Sequence, residues 1–263
     1  MNLDRPLTIG EIFDRAVTVV VRHWRPLAAL SAAVALVIAA ADFTRDAAPN
    51  VATERALTLL ASVAVWFFYP AIIAICAGSG QAVDLASALL LCLRRLGALV
   101  ALNVITLLSL LPFAACLFLL YVFSNYGAWQ LVVALCVGIA IGLTGLSLYM
   151  GYTCLAEVYL VLESRSSVDA LRVTAHRCRA SGVLRLGTIG AGLTALWLAP
   201  SLVVSLLPVP DPLALAVRHA LYGLAHAAMG VYVLAVSTVA ALDYRNRRLG
   251  DDLARALKEA APA

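Results

Sequence analysis

From Leu96 to Ala156 the chain runs for 61 residues without one Asp, Glu, Lys or Arg. A bilayer crossing needs only about 20 consecutive apolar residues. The run must therefore hold two crossings, and Ser124-Asn125-Tyr126-Gly127 supplies the turn between them. Four further uncharged stretches, Pro26 to Ala41, Ala56 to Val83, Leu186 to Pro210 and His219 to Leu242, bring the total to six expected transmembrane helices. They fall near 25–43, 56–78, 96–122, 128–157, 186–207 and 219–241. Composition agrees: 63% of residues are hydrophobic, 13% are charged and the mean hydropathy is +0.95, well outside the range of a soluble domain. The fold class expected is an all-α integral membrane protein.

Orientation follows from the basic residues, which are retained on the cytoplasmic side, whereas acidic residues matter little. With the N-terminus inside, the inner segments carry 16 of the 19 basic residues, and only Arg45, Arg55 and Arg218 fall outside. This predicts a bacterial inner-membrane protein with both termini cytoplasmic. It also accounts for the net charge of +4 as helix-end residues meeting lipid headgroups, so nucleic acid is not an expected partner. Membrane lipids are, together with either a membrane-protein partner or a second copy of the chain.

Ahead of the first crossing, Thr8 to Trp24 places Ile9, Ile12, Phe13, Ala16, Val17, Val20 and Trp24 at helical spacing, with Glu11, Asp14, Arg15, Thr18 and Arg22 mostly opposite. Thr8-Ile9-Gly10-Glu11 has the pattern of a capping box. An amphipathic helix lying in the inner headgroup layer is expected. Gln81 to Arg95 and Ser166 to Arg179 repeat the layout, with Val83-Asp84 and Val168-Asp169 near their starts. The chain thus reads as one transmembrane domain of three parallel units, each a cytoplasmic-side interfacial helix plus a hairpin, over 8–78, 81–157 and 166–242. A polar, lipid-facing tail with a short amphipathic helix is expected over 243–263.

Three stretches carry a family resemblance. Pro6-Leu7-Thr8-Ile9-Gly10-Glu11-Ile12-Phe13-Asp14-Arg15, followed by Arg22 to Leu27, is the first. Glu163 ahead of Ala170-Leu171-Arg172 is the second. Asp243-Tyr244-Arg245-Asn246-Arg247 through Gly250, Asp252 and Leu253 is the third, with Leu249 where a Glu would stand. Together they resemble the membrane domain of bacterial glycerophosphoryl diester phosphodiesterases. What the resemblance implies is a membrane module without the activity, which in that family belongs to a separate soluble barrel. His176-Arg177 reproduces one dipeptide of that barrel, but no Glu-Asn-Thr-type cluster follows it, and we read His176 as a solvated linker residue. Glu11, Asp14, Arg15, Glu163, Asp243, Arg245, Arg247, Gly250 and Asp252 are the residues the resemblance marks.

Inside the crossings few groups can carry chemistry. Glu157 is one, because an ionisable residue in a membrane is a functional candidate by default. If the fourth helix runs on to Leu162, Glu157 faces the bundle from the inner leaflet as a proton or substrate site; the simpler reading is helix-end snorkelling or pairing with an arginine. His219, Tyr222 and His226 share a face of the sixth helix, and His226 reads as a polar bundle contact. Ala134, Gly138, Gly142 and Gly145, then Gly187, Gly190 and Ala191, form small-residue ridges that allow close helix approach. The six cysteines form no CxxC pair and read as packing residues. No metal-ligand spacing, nucleotide fingerprint or catalytic motif is present, so no cofactor and no enzymatic activity are expected. A non-catalytic scaffold or accessory subunit is the first functional expectation, and a transporter or lipid-handling protein is the alternative.

Overall fold

The computed structural model describes residues 6–46, 50–78, 85–124, 126–163, 166–206 and 212–260, with the backbone alone at 45, 46, 85, 180, 181, 205, 212–216 and 251–260. Among them are nine α-helices: α1 (Ile9–Arg22), α2 (Trp24–Asp46), α3 (Val51–Ala77), α4 (Leu85–Leu108), α5 (Leu111–Ser124), α6 (Ala128–Leu162), α7 (Ser167–Ser181), α8 (Val183–Ser205) and α9 (Pro212–Ala260). Six stretches are long and apolar enough to cross a bilayer: Trp24–Thr44, Val51–Ala77, Ala86–Ser124, Ala128–Leu162, Val183–Val204 and Val217–Gly250. The chain is an all-helical, multi-spanning membrane protein.

Local chemistry sets the helix ends. The Thr8 side chain accepts the Glu11 N–H at 3.3 Å while Glu11 Oε2 accepts the Thr8 N–H at 2.7 Å, closing the capping box that opens α1. Asn50 caps α3 through the Thr53 N–H, and Ser166 caps α7 through the Asp169 N–H. One residue, His23, separates α1 from α2, and one, Gly182 at φ 83°, separates α7 from α8. That left-handed backbone suits glycine, and it lets the chain turn from a short helix directly into a long one.

The middle of the chain departs from expectation. The start expected for a second interfacial helix, Gln81 to Asp84, lies outside the described residues. From Leu85 onward α4 continues through Arg94-Arg95 to Leu108 without interruption. Charge alone does not end a helix, and nothing at 94–98 removes a backbone donor. The break comes instead at Ser109-Leu110, inside the crossing expected over 96–122. Pro112 explains it: without an N–H it cannot bond the Leu108 carbonyl, and its ring crowds that oxygen. The expected 243–263 tail with its short separate helix is likewise a continuation of α9, which at 49 residues is about 73 Å long against about 30 Å of hydrocarbon.

α9 is the central element, packing on α1, α2, α3, α6, α7 and α8. Its stretch from Val231 to Tyr244 contributes most of the apolar core, with Ile72, Ile73, Leu155, Val158 and Ile189 from its neighbours. On α1 the buried face is Ile12, Ala16 and Val19, with Val17 exposed, and Trp24, which opens α2, is exposed as well. The apolar arc is thus wider than the contact it makes. α5, by contrast, buries none of its residues and packs on α6.

Small residues set the tightest approaches. A Cβ on Gly190 would collide with the Ser147 carbonyl oxygen, and one on Gly151 would sit 2.8 Å from the Leu186 oxygen, so α6 and α8 touch backbone to backbone. Gly145 faces the Phe113 ring, whereas Gly142 meets nothing within 4 Å. Gly190→Ala is expected to destabilise the fold by about 1–3 kcal/mol through overpacking against a carbonyl that cannot swing away. Gly142→Ala is expected to change it by no more than about 0.5 kcal/mol. Thermal unfolding of the two variants in detergent checks the difference.

Candidate functional site

Two constellations stand out. The first ties the beginning of the chain to its end. Asp243 on α9 is fully buried. Its Oδ1 accepts the Leu7 N–H at 2.7 Å, and its Oδ2 accepts Arg185 Nη2 at 2.7 Å and Arg247 Nε at 2.8 Å. Both guanidinium groups also donate to the Leu7 carbonyl, at 2.8 and 2.6 Å. One carboxylate and two arginines therefore hold both polar groups of a residue 236 positions away. Asp243 and Arg247 reach the same point because i and i+4 share a helix face, while Arg185 stands in the first turn of α8.

Beside this clasp, Glu163, just past the end of α6, pairs with Arg177 of α7 at 2.6 Å and with Arg245 of α9 at 3.3 Å. Arg177 lies 4.5 Å over the Tyr159 ring, whose hydroxyl donates to the Ala241 carbonyl at 2.9 Å. Burial disfavours the Arg177 charge more than any one contact favours it, but the hydrogen bond and charge of Glu163 together with Tyr159 outweigh it and hold the guanidinium above its ordinary pKa. Burial also pushes the Cys178 thiol up to about 12.

The residues marked by the resemblance thus divide. Glu163, Asp243, Arg245 and Arg247 come together on one face of the molecule. Glu11 caps its own helix, Asp14 and Arg15 are exposed, and Gly250 lies exposed on α9. The side chain of Asp252 lies outside the described residues. The lipid-facing tail expected from 243 onward is corrected at its start: Asp243 and Tyr244 are completely buried, because the segment before α1 and the first turn of α8 close over them. His176 is exposed, as expected, but helical rather than in a linker, with Arg248 at 3.4 Å.

The second constellation lies within the crossings. α6 does continue to Leu162, and Glu157 turns into the bundle, only 3% exposed. Among the described residues its one hydrogen bond is from Asn103 Nδ2 of α4 at 3.0 Å, and that amide also donates to the Leu99 carbonyl at 3.1 Å. Among the described residues no arginine pairs with Glu157. It borders a cavity of about 180 Å³ that is also lined by Trp66, Tyr69, Tyr149, Thr153 and Trp197. The Thr153 hydroxyl there is buried, near the Tyr149 side chain, without a well-formed hydrogen bond among the described residues, and such groups are few in folded proteins.

A second cavity, of about 300 Å³, shares Trp66, Tyr69 and Trp197 with the first and adds Asp42, Ser62, Ser201, Tyr222 and His226. His226 Nε2 lies 3.1 Å from Ser201 Oγ, its ring 4.2 Å from Tyr222 and 5.8 Å from Trp197. At 1.5 Å per residue, Glu157 lies about 9 Å along α6 from Glu163, and His226 about 25 Å along α9 from Asp243. The two cavities therefore follow one another across the hydrocarbon layer with an aromatic partition between them. Pro70 and Pro200 sit inside α3 and α8 next to this partition, and deprive the Trp66 and Leu196 carbonyls of their intrahelical donors.

The partners of Glu157 were not singled out from sequence. An Asn in mid-crossing is a readable signal for Asn103, but nothing distinguishes Trp66, Tyr69 or Trp197 from other aromatic residues until the helices are assembled. In comparison with known proteins, no family model, no curated protein and no solved structure matches the chain.

Asp243→Ala leaves two guanidinium groups without their carboxylate and is expected to cost about 3–5 kcal/mol. Glu163→Gln, at a part-exposed pair, is expected to cost no more than about 1 kcal/mol. Chemical unfolding, with hydrogen exchange at the Leu7 amide as a local reporter, checks both. Because the thiolate is the reactive form and the folded-state pKa is about 12, Cys178 is expected to resist maleimide up to pH 9 and to react once the protein is unfolded. Peptide mass spectrometry reads this directly.

Proposed function

We propose that this is a solute-handling protein of the bacterial inner membrane, which takes up a small molecule inside the bilayer and passes it between the two faces. The observation that carries the reading is the pair of consecutive cavities, with a buried carboxyl in the inner one that no arginine among the described residues neutralises. An ionisable group held at that depth without a structural counter-charge is costly, and a carboxyl serving only the fold would gain from an arginine partner of the kind Asp243 has. Positive-inside bias supports cytoplasmic termini. The clasp that joins Leu7, Arg185, Asp243 and Arg247 on one face is compatible with that orientation. No catalytic step belongs to the reading.

A scaffold or accessory subunit is the second reading, and α5 is the observation that favours it. None of its residues is buried, so the α5–α6 hairpin presents apolar surface that lipid or a partner helix would cover equally well.

Reconstitution separates the two. Proteoliposomes incubated with a mixture of small amines, amino acids, sugars and carboxylic acids, then analysed by mass spectrometry, are expected to accumulate at least one of them above protein-free vesicles. Glu157→Gln is expected to reduce that accumulation at least tenfold. Absence of flux for every class, with a stoichiometric membrane-protein partner co-purifying from native lipid, would establish the scaffold reading instead.

A further inference from the structure

We infer that the inner cavity is a binding site for a small organic cation, an alkylammonium or quaternary ammonium group seated between Glu157 and the surrounding aromatic rings. The inference rests on the solute-handling reading of this same site and specifies its ligand.

The sign of the charge comes first. Among the described residues Glu157 is the one carboxyl bordering the cavity, and no Lys, Arg or His borders it. An anion would meet the Glu157 carboxylate with no cationic side chain among the described lining residues to offset it, and both amide hydrogens of Asn103 are already committed, to Leu99 O and to Glu157 Oε1. Among the described residues Glu157 accepts only that one bond. A cation would complete the pair that a carboxylate in hydrocarbon requires.

The walls decide which cation. Trp66, Tyr69, Tyr149 and Trp197 border the space, and indole and phenol rings attract a cation most strongly when it is desolvated. A bare metal ion prefers six or more oxygen ligands or a set of His and Cys; among the described residues no group of three such side chains is gathered anywhere. An ammonium group exchanges water for ring faces and one carboxylate far more readily. The cavity, at about 180 Å³, is below the roughly 300–1,000 Å³ of sites for drug-sized ligands, which limits the ligand to a few heavy atoms. The hydroxyl of Thr153, a residue 5% exposed and without a well-formed hydrogen bond among the described residues, can bond a polar substituent on such a ligand. Asp42 in the outer cavity places a second acidic residue along the approach.

Binding to the full chain in phosphatidylethanolamine–phosphatidylglycerol nanodiscs tests this, with tryptophan fluorescence and calorimetry as readouts. Tetramethylammonium and choline are compared with 3,3-dimethyl-1-butanol, the neutral isostere of choline, and with acetate. Saturable binding of the two cations at least tenfold tighter than the neutral isostere is expected, with no binding of acetate. Glu157→Gln keeps an acceptor for Asn103 and is expected to weaken cation binding at least tenfold. Trp197→Leu is expected to weaken it severalfold, and provides an independent readout if the Glu157 variant does not fold. Equal affinity for choline and its isostere, preference for acetate, absence of cation binding, or cation binding unchanged in both variants would each overturn the inference. If cations fail to bind while proteoliposomes still accumulate a neutral or anionic solute, the ligand assignment falls and the solute-handling reading stands. Cation binding without flux of any solute reverses that outcome.

Discussion

A polar group inside a bilayer has no water to turn to, and nearly every feature of this protein follows from that one constraint. Helices pair the backbone internally. Hydroxyls that face neighbouring helices return their hydrogen to the preceding turn, as Thr106, Thr194, Ser237 and Thr238 do at 2.7–3.0 Å from the carbonyl four residues back. Where the backbone leaves helical geometry at Leu7, one carboxylate and two guanidinium groups take both its peptide groups. Asn103 applies the same rule with its two amide hydrogens, one spent on its own helix and one on Glu157. Among the buried side-chain atoms left without a partner are two hydroxyls, that of Tyr244 next to the clasp and that of Thr153 beside Glu157.

The clasp and the cavities are mechanically related because they share helices. α8 and α9 are pinned at one end by Arg185 and Asp243, and the same two helices carry Trp197 and His226 toward the opposite face. The backbone contact of Gly190 with Ser147 fixes α8 against α6, which bears Glu157. The ends near the clasp are thus tied by ion pairs and close packing, while Pro70 and Pro200 interrupt the hydrogen-bond ladders beside the aromatic partition. A firm end at the clasp and interrupted helices next to the cavities form a frame in which a ligand site can be both well defined and reachable.

Individual residues show where reading from sequence succeeds. The capping box at Thr8 and Glu11 is a contact over three residues, and it forms as its pattern implies. The uncharged runs match the six bilayer-length helices, since hydropathy alone prices a segment in lipid. The break near Pro112 was legible in principle from its missing N–H, yet the run of apolar residues around it hides the interruption. Arg94-Arg95 misleads in the opposite direction, suggesting an end where the helix continues.

Segment length and hydropathy, the placement of basic residues and short-range caps belong to the sequence by itself, because each depends on a few neighbouring residues and on lipid as the solvent. The tertiary structure alone decided that Asp243 is a buried clasp residue rather than part of a tail, and that Glu157 meets an asparagine 54 positions away and, among the described residues, no arginine. It alone brought three aromatic residues from two helices between two cavities. Such pairings depend on which helix faces which, and that choice is made by backbone contacts such as Gly190 on Ser147, whose partner no local pattern names.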